Sequence, residues 1–484
     1  MNRREFLRVA GLGGVAAATL PWWDRVERTV RGADGATPQT LPNFVIILID
    51  DMGYGDIEPF GSKLNRTPNL NRMAAEGIKL TSFYACPVCT PSRAELLTGC
   101  YAKRVGMAAV IQPLCPTGLN PTEKTIATLL KARGYATMMV GKWHLGDQPE
   151  FLPTKHGFDH YLGLPYSHDM GGTPNGKTPP LPLIRDAGVI EAPPDLEKLT
   201  ALYTEESVKF IKASAGKPFF LYLPHSAVHV PIKPGKAFQG KSANGRYGDW
   251  VEEVDWSVGR ILDTLRELKL EENTMVLFTS DNGPWLGRGK DAGTGGPLYG
   301  GKGSTWEGGM REPTIAWWPG KIAKGAVCDV VAGEVDVMPT LVKLAGGEVP
   351  ADRIIDGRDL WPVLSGKSQE APRPAHYYFN DGRLEAVRSG AWKLAIVPQS
   401  LGMGQKPATR PAGPYSPRLY NLDKDIGEKT DVAAEHPDEV KRLQELVAAV
   451  AGDLSLAGRG KGCRAPGRVE NPQGLRKRVG TEYD

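Results

Sequence analysis

Phe44-Val45-Ile46-Ile47-Leu48-Ile49 is an unbroken apolar run, mostly β-branched, that ends at two carboxylates, Asp50 and Asp51. A run of this kind, with no polar alternation, suits a strand covered on both faces, as in a parallel sheet with helices above and below. The pattern returns three times. Ala136 to Val140 is followed by Gly141-Lys142-Trp143-His144, Phe219 to Leu223 by His225 and His229, and Met275 to Thr279 by Asp281-Asn282. In α/β folds the C-terminal edge of the strands is where ligands bind, so four distant segments are expected to converge on one site.

Helical periodicity fills the intervals, over Asn69 to Glu76, Thr122 to Ala132, Leu199 to Ala213 and Gly248 to Leu268. The alternation predicts an α/β fold with a large mixed, mostly parallel sheet covered by helices. Met170 to Pro194, rich in Gly, Pro and Thr, reads as a long surface loop, and Trp285 to Gly309 as a Gly-rich loop folding over the site. The composition shifts near Ser365 to Pro374. Short strands at Ala375 to Phe379, Ala386 to Ser389 and Trp392 to Ile396, with an amphipathic helix at Glu435 to Ala449, predict a smaller C-terminal α+β domain on a short antiparallel sheet. The expected division is 1–36 export segment, 37–370 catalytic domain, 371–454 C-terminal domain and 455–484 basic, disordered tail, which Cys463 could tether.

Composition excludes several classes. With 484 residues the chain has ample core, and 41% hydrophobic with 24% charged residues is ordinary for a soluble globular protein. The net charge of +4 is largely local to the tail, where Arg459, Lys461, Arg464, Arg468, Arg476, Lys477 and Arg478 crowd together, so no nucleic-acid partner is expected. Six cysteines are too few for a disulfide framework and match no zinc spacing. After residue 20 no apolar run is long enough for a stable membrane span. Asn2-Arg3-Arg4-Glu5-Phe6-Leu7-Arg8 before the modest apolar run Val9 to Leu20 resembles a twin-arginine signal, which implies export to the periplasm or beyond; a basic arm or an uncleaved anchor is the alternative.

Chemistry concentrates at Cys89-Thr90-Pro91-Ser92-Arg93. Pro91 suits the first turn of a helix continued by Ala94-Glu95-Leu96-Leu97, which puts Cys89 at the helix N-terminus with Arg93 on its face. Free N–H groups, the dipole and a guanidinium together make an anion site. A buried structural cysteine, or a redox Cys86-x-x-Cys89 pair, is the competing reading. Asp50, Asp51, Asp281 and Asn282 offer only oxygen ligands, which suits calcium, or magnesium as second choice, rather than zinc.

With Thr98-Gly99 the motif becomes C-x-P-S-R-x(4)-T-G, which resembles the signature of the type I, formylglycine-dependent sulfatases; Gly141-Lys142-Trp143-His144-Leu145-Gly146 resembles their second signature. Tyr166-Ser167-His168-Asp169 is similar to the arylsulfatase A and N-acetylgalactosamine-6-sulfatase branch. The resemblance implies an alkaline-phosphatase-like fold and oxidation of Cys89 to Cα-formylglycine by a separate formylglycine-generating enzyme, the aldehyde hydrate being the nucleophile. It further implies Ca2+ on Asp50, Asp51, Asp281, Asn282 and residue 89, sulfate binding by Arg93, Lys142 and Lys302, and contact of His144 with the formylglycine. His229 and Lys302 are implied at the leaving oxygen, Ser167 near the sulfate, and His225 in substrate binding or packing. The activity it implies is hydrolysis of sulfate esters on a small molecule or saccharide. Two alternatives remain open: a phosphate or phosphonate monoester hydrolase on the same fold, and a non-catalytic sulfated-glycan-binding protein with unmodified Cys89. Cys100 departs from the pattern, where arginine more commonly follows Thr-Gly.

Overall fold

The computed structural model describes residues 41–172, 178–405 and 414–475. The expected export segment, with Arg3 and Arg4, lies outside them. In chain order the strands of the first part are β1 (Asn43–Ile49), β2 (Ile78–Tyr84), β3 (Thr117–Gly118), β4 (Ala136–Lys142), β5 (His160–Leu164), β6 (Leu183–Arg185), β7 (Gly188–Glu191), β8 (Phe219–Pro224), β9 (Thr274–Ser280), β10 (Arg311–Trp317), β11 (Ala326–Cys328) and β12 (Ala332–Gly333). All but β3 join one sheet, in the order β11-β2-β10-β9-β1-β8-β4-β5-β6-β7, with β12 also on β2. Its centre is parallel, β9-β1-β8-β4-β5, while β10, β6 and β7 run antiparallel to their neighbours.

Alternate residues of β1 explain the unbroken apolar run. Phe44, Ile46 and Leu48 enter one core with Leu96, Leu97, Leu130 and Leu341, from the helices Cys89–Thr98, Ile126–Lys131 and Val337–Leu344. Val45, Ile47 and Ile49 enter the other, against Leu70, Tyr203, Ile211, Trp250 and Val254 of Pro68–Glu76, Leu199–Ala213 and Gly245–Glu267. A strand with core on both sides has no face for water, so no position favours a polar side chain.

The C-terminal part forms a second sheet, β13 (His376–Asn380), β14 (Arg383–Ser389), β15 (Trp392–Ala395) and β16 (Arg418–Asn421), antiparallel and in sequence order. The helix Pro437–Leu454 lies over it through Leu443 and Val447.

Three expectations are corrected. The segment 170–194 carries the β6–β7 hairpin, which extends the main sheet at its edge. Its strands are too short for alternation to register, yet Leu183, Ile184 and Val189 are buried. The helix predicted from Thr122 begins only at Ile126, because Thr125 caps it, its side chain accepting from Thr128 N–H at 3.1 Å. The tail, expected to be disordered, is held through its described residues. Arg464 pairs with Glu123 at 2.7 Å, Arg104 Nη1 donates to Gly462 O at 3.1 Å, and β17 (Gly467–Arg468) pairs with β3. Its basic residues thus find carboxylates and backbone carbonyls that composition alone does not reveal.

Candidate active site

β1, β4, β8 and β9 deliver their polar residues to one edge of the sheet, and the helix Cys89–Thr98 follows β2 into the same place. Cys89 is the first residue of that helix and 2% exposed. Ser92 on the next turn donates to Asp281 O and accepts from Cys86 N–H at 2.9 Å, fixing the helix start against the end of β9. Gly141 has φ 133°, and a Cβ there would lie 1.9 Å from Pro224 O. Only glycine therefore lets β4 approach β8 closely enough to bring Lys142 in.

Charges pair tightly. Lys142 Nζ lies 2.5 Å from Asp50 Oδ2, and Lys302 Nζ 2.6 Å from Asp51 Oδ1 and 3.7 Å from Cys89 Sγ. Arg93 spans Asp281 Oδ2 at 2.7 Å and Asp50 Oδ2 at 3.8 Å, and also donates to Lys142 O. His229 Nε2 is 3.6 Å from Asp51 Oδ2, and Ser167 Oγ is 3.4 Å from His229 Nδ1. His144 Nε2 lies 3.0 Å from Ile111 O, while Thr90 Oγ1 donates to His144 O at 2.9 Å. Asp51 (φ 64°) and His144 (φ 60°) both adopt left-handed backbone, which costs about 1–2 kcal/mol each for residues with a Cβ.

Burial sets the protonation of the site. It pushes the Cys89 thiol up to about 12 against the pull of Lys142 and Lys302, so the residue is a thiol at neutral pH, not a thiolate. Burial would also raise Asp50, but the charges of Lys142, Arg93 and Lys302 together outweigh it and hold Asp50 well below the usual range. Burial and the Asp50 charge raise Asp281 to about 7. Burial, then the Lys302 charge, keeps His229 neutral, and burial with Lys142 does the same for His144.

Asp50 Oδ1, Asp51 Oδ2 and Asn282 Oδ1 are buried without a hydrogen-bond partner. Ligand atoms of Asp50, Cys89 and Asp281, and of Asp50, Asp51 and His229, lie within 4.8 Å of one another. Arg93, Lys142 and Lys302 already balance the three carboxylates, so it is the unanswered oxygens, not a charge excess, that fit a hard cation.

Apart from His225, every residue expected at the site from the sequence is here, in one buried cluster. His225 takes the packing role of its two alternatives: its Nε2 faces Ser257 Oγ at 3.1 Å and its ring packs towards Tyr203. Cys86 and Cys89 are both buried thiols, and Cys86 faces Glu95. Trp285 was missed. Half-buried, its ring lies 4.9 Å from Lys302 Nζ and 5.7 Å from the His229 ring. A lone tryptophan in a glycine-rich loop gives no signal of that placement.

The Sulfatase family matches this chain over residues 42–347, more than half its length. The chain belongs to the sulfatase family. This sulfatase is 39% identical over 473 residues to N-acetylgalactosamine-6-sulfatase of Canis lupus familiaris, covering 90% of each chain. It is 39% identical over 451 residues to arylsulfatase A of Homo sapiens, covering 86% of this chain and 88% of that one. The crystal structure of the PsFucS1 sulfatase from Pseudoalteromonas sp. superposes with a TM-score of 0.76 at 28% identity, covering 89% and 94%. The protein is accordingly a sulfuric ester hydrolase, and among the described residues no helix is long and apolar enough to cross a membrane.

Proposed function

We propose that the protein hydrolyses a sulfate ester on a saccharide, with the oxidised residue 89 as nucleophile. The observation that carries this reading is the position of Cys89, at a helix N-terminus, 3.7 Å from Lys302 and within reach of Asp50 and Asp281. Residue 89, once converted to formylglycine and hydrated, supplies two hydroxyls, which a serine cannot. Asp50, Asp51, Asp281 and Asn282 would hold Ca2+, or Mg2+ as second choice, and the ion would neutralise sulfate oxygen charge.

This chain's own groups do the rest. Arg93, Lys142 and Lys302, all buried, hold charge on the sulfate oxygens in a low-dielectric site, where such interactions are strongest. Asp281 is placed to take the proton of the attacking hydroxyl. Lys302, or His229 after a bound sulfate anion has raised its proton affinity, gives a proton to the departing alcohol, and His144, whose Nδ1 is buried and unpartnered, accepts one as sulfate is released. Ser167, beside His229, orients that ring or the sulfate.

Mass spectrometry of the peptide around Cys89, after co-expression with a formylglycine-generating enzyme, tests the reading. An aldehyde is expected there. Active protein carrying only the thiol would overturn it. Saccharide sulfate is favoured by the branch of relatives whose names specify N-acetylgalactosamine-6-sulfate. Higher kcat/KM on phosphate monoesters than on any sulfate would move the protein to the phosphoester class. Export through Arg3 and Arg4 is part of the same proposal, since that route carries folded, already modified protein. Undiminished export of the double lysine variant would exclude it.

A further inference from the structure

Lys302 does not stand on the main sheet; its loop is gripped from the C-terminal domain. Met403 N–H donates to Lys302 O at 2.7 Å, and Met403 O accepts from Trp285 Nε1 at 3.1 Å. One residue of the segment 399–405 therefore holds both the backbone of the lysine and the indole lying against its ammonium group. Gly303 (φ 86°) is the packing point, since a Cβ there would sit 2.7 Å from Met403 Cγ. The loop is tied again further on. Thr305 O accepts from Lys393 Nζ and Gln399 Nε2, each at 2.8 Å, and Gly303 O accepts from Asn380 Nδ2 at 3.1 Å.

Glu385, on β14 and 3% exposed, joins the two sides. Its Oε2 accepts from Thr305 Oγ1 at 2.7 Å and from Ser400 N–H at 2.7 Å, and its Oε1 accepts from Ser400 Oγ at 2.6 Å. Thr305 belongs to the loop of Lys302 and Ser400 to the strap that holds that loop. Burying a carboxylate is costly unless its oxygens are answered, and an apolar contact would serve for adhesion alone. A charge with short, directional bonds to both segments instead fixes where they lie relative to each other.

We propose that Glu385 is a positioning residue for Lys302: through Thr305 and the strap at Ser400 and Met403, the C-terminal domain sets the place of the lysine ammonium group in the active site. The inference rests on the reading of Lys302 as a group at the leaving oxygen. A misplacement of about 1 Å in such a group costs on the order of 100-fold, and the cost falls on substrates whose leaving group needs the help.

The test is the dependence of kcat/KM on leaving-group acidity, measured with aryl sulfates from 4-nitrophenyl sulfate to phenyl sulfate, on the modified, metal-loaded full chain. Lys302→Ala is expected to lose most with the poorest leaving group. Glu385→Ala should show the same tilt, with a loss of about 10- to 100-fold at the poor end, carried mainly by kcat, and Glu385→Gln should recover part of it. Thr305→Val and Ser400→Ala each remove one hydroxyl and keep the test available should Glu385→Ala fail to fold. A uniform loss across all leaving groups, tracking the fraction of folded protein, would mean that Glu385 is only structural and would overturn the proposal. Two results separate the failures. A flat response of Lys302→Ala sinks the reading of Lys302 itself, whereas a tilt in Lys302→Ala and none in the Glu385, Thr305 and Ser400 variants sinks the positioning alone.

Discussion

Two buried ionic clusters share one loop of this molecule, Lys302 in the first and Glu307 in the second, and they are finished differently. Glu307 Oε1 accepts from Tyr378 Oη at 2.7 Å and Lys393 Nζ at 3.1 Å; Oε2 accepts from Tyr84 Oη at 2.6 Å and Arg311 Nη1 at 3.4 Å, with Arg388 at 3.5 Å. Both oxygens are answered. In the active site the same residue types leave Asp50 Oδ1, Asp51 Oδ2, Asn282 Oδ1 and His144 Nδ1 without partners. Electrostatics follows. Burial would raise Glu307, but Lys393, Arg388 and Arg311 outweigh it and hold it well below 4.5, while burial and Asp50 lift Asp281 to about 7. A cluster whose central carboxylate is answered on both oxygens joins the two domains; one with its carboxylate oxygens unanswered is suited to receive something else.

Substitutions should separate the two. Cys89→Ala is expected to lose at least about 10⁴-fold in kcat while unfolding at the wild-type temperature, because a nucleophile is removed and little packing is lost. Turnover within tenfold of wild type would put the chemistry elsewhere. Glu307→Ala should do the opposite, costing about 3–5 kcal/mol of stability because Arg388 and Arg311 are left buried without their carboxylate and Lys393 keeps only Glu428. Urea unfolding measures this, and a cost under about 1 kcal/mol would show that the cluster does not hold the domains.

Calcium should act on the first cluster only. Metal binding to the folded state stabilises it by about 2.7 kcal/mol at a hundredfold excess over Kd, read as a rise in Tm with calcium concentration. The rise should vanish in Asp51→Ala and persist in Glu307→Gln. A rise that survives Asp51→Ala would place the ion elsewhere. The smallest effect is the response to acid. Glu307 is depressed in the folded state, so its stabilisation is fully present above its ordinary value of 4.5 and is lost as pH falls towards its folded value. The stability gap between wild type and Glu307→Gln should therefore narrow below pH 4.5, by up to about 1.4 kcal/mol per pH unit. A gap constant down to about pH 3 would contradict the pairing.

The central strands could be read from the chain because burial on both faces leaves an unbroken apolar mark, and their ends fell within two residues of the structure. β2 and β10 leave no such mark. Lys79, Arg311 and Glu312 interrupt them, and only the assembled fold shows where the two basic groups go: Lys79 Nζ reaches Pro59 O at 3.0 Å, and Arg311 donates to Thr81 O. The site residues were legible for a related reason. They sit immediately after apolar runs, or within a motif a few residues long, where spacing itself carries the chemistry. Trp285, Met403 and Glu385 have no local signature, since their importance arises from partners in distant segments.

Position 100 shows where that boundary falls. Cys100 replaces the arginine that the family resemblance leads one to expect, and Arg464 of the tail sets its guanidinium 3.4 Å from Cys100 Sγ while pairing with Glu123. By itself the sequence determined the parallel core, the helix start at Cys89 and the polar groups at the strand ends, because apolar periodicity, helix capping and short motifs act over a few residues. Which oxygens remain unanswered, which domain holds Lys302 and where the tail lies were decided only by the tertiary structure, because these depend on distances between segments that local propensity does not encode.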